Sequence, residues 1–155
     1  MIARRMIASS FVDKSNISLQ PNFLAGKVVI DCTNPLGMGP DGLQLVLGFD
    51  TSAGEQVACW APGAFVFKAL NTTGASNMGN AADYPVKPLM LVAGDNEAEK
   101  PVVMELVGRL GFEPVDAGPL KNARLLEPFA RVWIDQAMKR GRGRDFAFAL
   151  VRKGD

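Results

Sequence analysis

The run Val28-Val29-Ile30, closed abruptly by Asp31-Cys32-Thr33-Asn34-Pro35, constrains the fold of this chain more than any other stretch. Lys27 is the last charge before three β-branched residues with no polar break. An unbroken apolar run suits a strand covered on both faces, as in a parallel sheet between helices. Pro35 has no N–H for a ladder and biases Asn34 away from helix, so the strand is predicted to end near Thr33. Ligands of open α/β sheets bind outside the carboxyl ends of the strands, where Thr33, Asn34 and Pro35 would lie. A plain strand followed by a turn gives the same pattern, and this stretch alone leaves both readings open.

Composition narrows the chemistry. The chain has 155 residues and is 48% hydrophobic, enough for one domain with a real core. A net charge of +1 gives no reason to expect nucleic acid or an anionic membrane as a partner. Histidine is absent, which removes the commonest general base, the serine–histidine triads and most zinc chemistry. Cys32 and Cys59 make neither a disulfide framework nor a metal site, and a reduced cytoplasmic setting is the expectation. No apolar run approaches a membrane span, and residues 1–10 lack the long apolar core of a secretory signal.

Taken in order, Met1 to Phe11 could form an amphipathic helix, and Asp13 to Asn22 reads as a polar connector interrupted by Pro21. After the first strand, Met38 to Ala53 is punctuated as a loop, with a short extended piece open at Leu43, Leu45 and Leu47. Thr51 or Ser52 could cap a helix from Ala53 to about Trp60, and Glu55, three residues after Ser52, would complete a capping box. A second strand spans Ala64 to Thr72 and contains one charge, Lys68, which either snorkels at the sheet rim or reaches the ligand edge. A third runs from Pro88 to Asn96. The helix after it, capped by Asp95 or Asn96, carries Val102, Val103, Leu106, Val107 and Leu110 and stops at Gly111. A fourth strand spans Phe112 to Gly118, where Pro114 argues for an edge or a distorted position. A helix from about Lys121 to Arg140 follows, with Pro128 inside it, and a last strand is expected within Phe146 to Val151. The basic cluster Lys139, Arg140, Arg142 and Arg144 reads as a solvated helix end, with phosphate binding as the alternative. This order predicts an α/β fold with helices on both faces of a sheet.

Five stretches now stand together: VVIDCTNPLG from Val28, EQVACWAPGAFVFKALNTTGASNM from Glu55, LVAGDNEAEKPVV from Leu91, LGFEPVDAGPLKNARLLEP from Leu110 and GRDFAFAL from Gly143. In this order and spacing the chain resembles the NADPH-dependent oxidoreductases related to the deazaflavin (coenzyme F-420) NADP reductases. The oxidoreductase domain of the STEAP metalloreductases is similar at greater distance. The resemblance covers roughly residues 26–151 and implies a Rossmann-like three-layer fold that binds NADP. It implies hydride transfer between the nicotinamide and a flavin- or deazaflavin-like co-substrate. On it, Thr33, Asn34 and Pro35 match the loop past the nicotinamide, and Lys68, Asn71 and Thr72 the strand end beneath it. Asp116, Ala117, Gly118, Pro119 and Leu120 match the loop of the second-substrate pocket. No catalytic acid or base and no metal is implied, because the cofactors carry the reactivity.

The chain also departs from that family. Its first half, with a GxGxxG turn that admits the pyrophosphate to a helix N-terminus, has no counterpart here. GMGPDG (Gly37 to Gly42) has the spacing, but Pro40 and Asp41 interrupt it and no convincing helix follows, so it is read as a coincidence. The expectation is a partial Rossmann-like domain over residues 26–155 behind a divergent segment, residues 1–25. That segment and a second copy of the chain are expected to cover the exposed sheet edge, giving a homodimer. The alternative function is a non-catalytic, oligomeric binding domain that has kept the fold and lost the dinucleotide.

Overall fold

A computed structural model describes residues 23–154. The expectations for Met1 to Phe11 and for Asp13 to Asn22 therefore lie outside the described residues. Strand β1 (Val28–Asp31) is buried at every position and pairs in parallel with β4 (Phe65–Lys68), which sets Asp31 opposite Lys68. Strand β5 (Leu89–Gly94) lies on the far side of β4, and β6 (Glu113–Asp116) closes the sheet in the order β1-β4-β5-β6. Among the described residues, β1 and β6 are its edges. Pro114 sits in β6, where its missing N–H leaves no ladder bond unmade on the solvent side.

The sheet is mixed. β4 and β5 are antiparallel, with Phe67 opposite Gly94 and Lys68 opposite Ala93, while β5 and β6 are parallel. A parallel return needs a crossover, usually a helix. Residues 69–88 provide only two short 3-10 turns, Ala75–Met78 and Ala81–Asp83, so the chain comes back the other way.

Helices cover both faces. On one face Ile30, Phe67, Met90 and Val92 pack with Val103 and Val107 of α2 (Lys100–Arg109). On the other, Val29 and Val66 pack with Val57 of α1 (Ala53–Trp60) and with Leu120. This is the predicted three-layer arrangement. Of the two candidate caps, Thr51 and Ser52, α1 starts at Ser52: its Oγ accepts the Glu55 N–H at 3.2 Å and donates to Glu55 Oε2 at 2.7 Å. Before α2, Asn96 Oδ1 accepts the Glu99 N–H at 2.9 Å, and the chain turns after the helix at Gly111, φ +94°.

Two local expectations change, and the reading of GMGPDG as a spacing with no helix behind it stands. GMGPDG is a β-hairpin, β2 (Leu36–Gly39) and β3 (Gly42–Leu45) joined at Pro40-Asp41 and opening no helix. The last helix is α3 (Ala123–Ile134), followed by a π turn, Asp135–Lys139. No ladder forms over Phe146 to Val151. There Trp133 Nε1 and Asn77 Nδ2 both donate to the Phe146 carbonyl, and the Phe146 ring stacks on Trp133, centroids 5.2 Å apart. Side chains thus take bonds that a neighbouring strand would need. In the basic cluster Arg140 and Arg142 bond Asp135 and Gln136 of the same helix end, which is the solvated reading.

Candidate functional site

Two polar loops meet where the parallel pair β1 and β4 ends. Asn34 Nδ2 donates to the Asn71 carbonyl at 3.0 Å, and Asn71 Nδ2 donates back to Asn34 Oδ1 at 3.0 Å. Asn71 Nδ2 also reaches the Leu126 carbonyl of α3 at 3.2 Å. The chain enters this clasp through Leu70, whose φ of +59° is costly for a side chain of its shape. Strain of this kind is held only where the surroundings over-determine it, and it gathers at binding sites. Thr72 closes the group, its hydroxyl 3.5 Å from Met90 Sδ.

Beneath the clasp lies a buried ionic cluster. Lys68 is 0% exposed, so the rim reading of this residue is overturned. Its Nζ stands 2.6 Å from Asp31 Oδ2 and 2.8 Å from Glu127 Oε1, and donates to the Thr33 carbonyl at 2.8 Å. Asp31 Oδ1 accepts the Thr33 N–H at 2.9 Å. Both polar backbone groups of Thr33 are thereby fixed by side chains of the cluster. Glu127, 1% exposed, also accepts the Ala53 and Gly54 N–H groups at 3.1 Å each, so the α1 N-terminus is filled by a carboxylate of α3. Burial, followed by the Asp31 carboxylate and against the pull of Lys68, pushes the Cys32 thiol up to about 11. It is a neutral thiol and not a nucleophile at neutral pH.

Two oxygens here, Thr33 Oγ1 and Asn71 Oδ1, are buried and have no hydrogen-bond partner among the described residues. Native chains rarely leave such atoms orphaned, so this strand end has hydrogen bonding still to be completed.

Pro35 joins the clasp to a second feature. Its carbonyl accepts the Val46 N–H at 2.8 Å, and Val46 is one wall of an open cleft of about 790 Å³ between residues 45–49 and the start of α3. Leu45, Leu47, Phe49, Leu125 and Pro128 make it apolar, and Lys121 and Arg124 are its cations. Phe49 is 96% exposed and holds φ +56°. Arg124 bonds both oxygens of Glu55, at 2.9 and 2.7 Å, which holds the Glu55 carboxyl below the usual carboxylate range. Protonating Glu55 must break that favourable pairing. The stability it contributes is therefore present above about pH 4.5, the ordinary value, and is lost as pH falls through the lower folded value. Urea midpoints between pH 6 and 3 should fall less steeply in Arg124→Ala than in the parent chain.

The structure brings Thr33, Asn34, Pro35, Lys68, Asn71 and Thr72 together. β6 runs opposite to β4 and turns the Asp116–Leu120 loop away from the clasp, but its last residue packs beside the ionic cluster: a Cβ on Gly54 would lie 3.2 Å from Lys68 Cε and 3.5 Å from Leu120 Cδ1. Leu120 is buried with Val57 and Val66, and Gly118 bonds Gly94. Asp116 accepts the Gly118 N–H and pairs with Lys100, which together hold its carboxyl low. Asn122, a wall of the cleft, donates to the Ala117 carbonyl at 2.6 Å, which ties this loop to the cleft rather than to the clasp. Sequence reasoning missed Glu127 and Arg124. Glu127 had a readable signal: it stands four residues after Ala123 and three before Ala130, a carboxylate on the buried stripe of α3.

No family model matches the chain. Among curated proteins it is 30% identical over 121 residues to the F420-dependent NADP reductase of Methanothermobacter marburgensis, covering 75% of this chain and 54% of that protein. It is 33% identical over 104 residues to rat metalloreductase STEAP3, covering 67% of this chain and 20% of that one. The chain thus spans about half of the first relative and a fifth of the second. Among solved structures, an F420-dependent NADP reductase from an Arthrobacter species superposes with a TM-score of 0.75 at 32% identity, over 83% of this chain and 59% of the other. A hypothetical protein from Sinorhizobium meliloti gives 0.64 at 27%, over 74% and 55%. An Aspergillus terreus reductive aminase, solved with NADPH, shares the fold at 19% identity, with a TM-score of 0.53. Both sequence and fold show the resemblance to the F420-dependent NADP reductases. Among the described residues no helix is long and apolar enough to cross a membrane.

Proposed function

We propose, this chain being a relative of the F420-dependent NADP reductases, that it acts in NADP-linked hydride transfer to a flavin- or deazaflavin-like acceptor. The observation that carries the reading is the Asn34–Asn71 clasp with its orphaned Thr33 and Asn71 oxygens, joined through the Pro35 carbonyl and Val46 to an apolar cleft. A nicotinamide carboxamide both donates and accepts, and the clasp offers it hydroxyl and amide partners of the right kind. The bound cofactor supplies the hydride. The chain supplies orientation: Lys68 and Asp31 fix the Thr33 backbone, and the two asparagines hold the neighbouring loops in register. The cleft suits a planar second ring, with Phe49 and Leu125 as apolar surface and Lys121 and Arg124 for an anionic tail. No side chain is needed as a proton donor at the ring-to-ring step.

Calorimetric titration of the chain with NADPH and NADP+, with NADH as control, tests the reading. Saturable binding with preference for the phosphorylated cofactors is expected. Asn34→Ala and Asn71→Ala should each weaken NADPH by about tenfold, the scale of one or two lost hydrogen bonds, without unfolding the chain. No binding at millimolar cofactor would favour the binding-domain alternative. A fall in melting temperature with no ligand effect would make the clasp purely structural.

A further inference from the structure

The cluster under the clasp holds two carboxylates, Asp31 and Glu127, around one ammonium, Lys68, all at most 3% exposed. Its formal charge is one negative. The α1 N-terminus offsets part of it, about half a charge, through the Ala53 and Gly54 N–H groups. The remainder is fixed in a low-dielectric interior, bonded through Lys68 and Asp31 to both polar backbone groups of Thr33. A nicotinamide ring carries a positive charge when oxidised and none when reduced. Every other part of the cofactor is the same in the two forms.

We propose that the Asp31–Lys68–Glu127 cluster makes the site discriminate between redox states, favouring the oxidised, cationic nicotinamide over the reduced, neutral one. The inference rests on the reading above that the ring lies against the Thr33–Pro35 loop. Glu127 is then a positioning and specificity-determining residue that acts through its charge and through Lys68. Tighter binding of the oxidised form lowers the midpoint potential of the bound couple and makes bound NADPH the stronger hydride donor. The device belongs to the interior: the carboxylates face Lys68, the α1 backbone and Thr33, not solvent.

The test is the ratio of NADP+ to NADPH dissociation constants, measured by calorimetry on the full chain. NADP+ should bind roughly tenfold more tightly, the size of one charge acting across a packed layer. Glu127→Gln, and independently Asp31→Asn, should move that ratio roughly tenfold toward NADPH. A merely structural role would weaken both forms equally and leave the ratio in place. Equal binding by the parent chain, or preference for NADPH, overturns the proposal, and so does a folded variant with an unchanged ratio. If neither variant folds, the parent ratio alone decides. If neither form binds the parent chain, the nicotinamide reading itself fails and this inference falls with it.

Discussion

Lys68→Met is expected to destabilise the fold by about 3–5 kcal/mol, the range found when one partner of a buried ion pair is removed. The loss would come from what stays behind. Asp31 and Glu127 would face each other in the interior with no cation between them, and the Thr33 carbonyl would lose its donor. Adding Glu127→Gln should return part of the loss, because it removes one of the two stranded charges. The return would be partial, since Gln cannot accept both α1 N–H groups as the carboxylate does. The double variant should therefore be more stable than Lys68→Met alone, a non-additivity expected only of groups in one network. Urea unfolding of the parent, both single variants and the double variant measures it. A loss of under about 1 kcal/mol for Lys68→Met would mean that water reaches the cluster, against its burial.

The same cluster shows why the sequence was legible up to a point. β1, β4, β5, α1 and α2 each announce themselves through local chemistry: a β-branched run, an alternation, a capping box, a glycine stop. Their pairing does not. Nothing within Phe65–Lys68 says that β5 will run against it; that follows from a long connection, residues 69–88, that never forms a helix. Lys68 reads as an anomaly from sequence, a snorkelling tail or a reach to the ligand edge, and only the third dimension shows it to be a buried ion between two carboxylates. Its two partners come from Asp31, 37 residues earlier, and Glu127, 59 residues later, so no window on the chain contains the site. The Asn34–Asn71 pairing is likewise a product of the parallel register. The cleft was illegible because residues 46–49 belong to no helix or strand, and its shape depends on α3 lying beside it.

Gly94→Ala should produce the second large effect, and it ties packing to function. Gly94 ends β5 directly opposite Phe67, and a Cβ there would run into the Phe67 ring. The ring is 0% exposed in a close-packed layer, so it has no empty space to turn into. Overpacking of this kind costs about 1–3 kcal/mol. Gly79→Ala, where an added Cβ would meet nothing within 4 Å, is the control and should stay within about 0.5 kcal/mol. The neighbour displaced by Phe67 is Lys68, and through it Thr33. A shift of the ring should therefore weaken NADPH binding in calorimetry. Val103→Ala, on α2 against the same core, should destabilise comparably by leaving a cavity while sparing affinity, since Val103 belongs to neither the clasp nor the ionic cluster. Equal affinity in Gly94→Ala and Val103→Ala would show that the strand end tolerates displacement. Weaker binding in Gly94→Ala alone would show that the β4–β5 approach sets the position of the site.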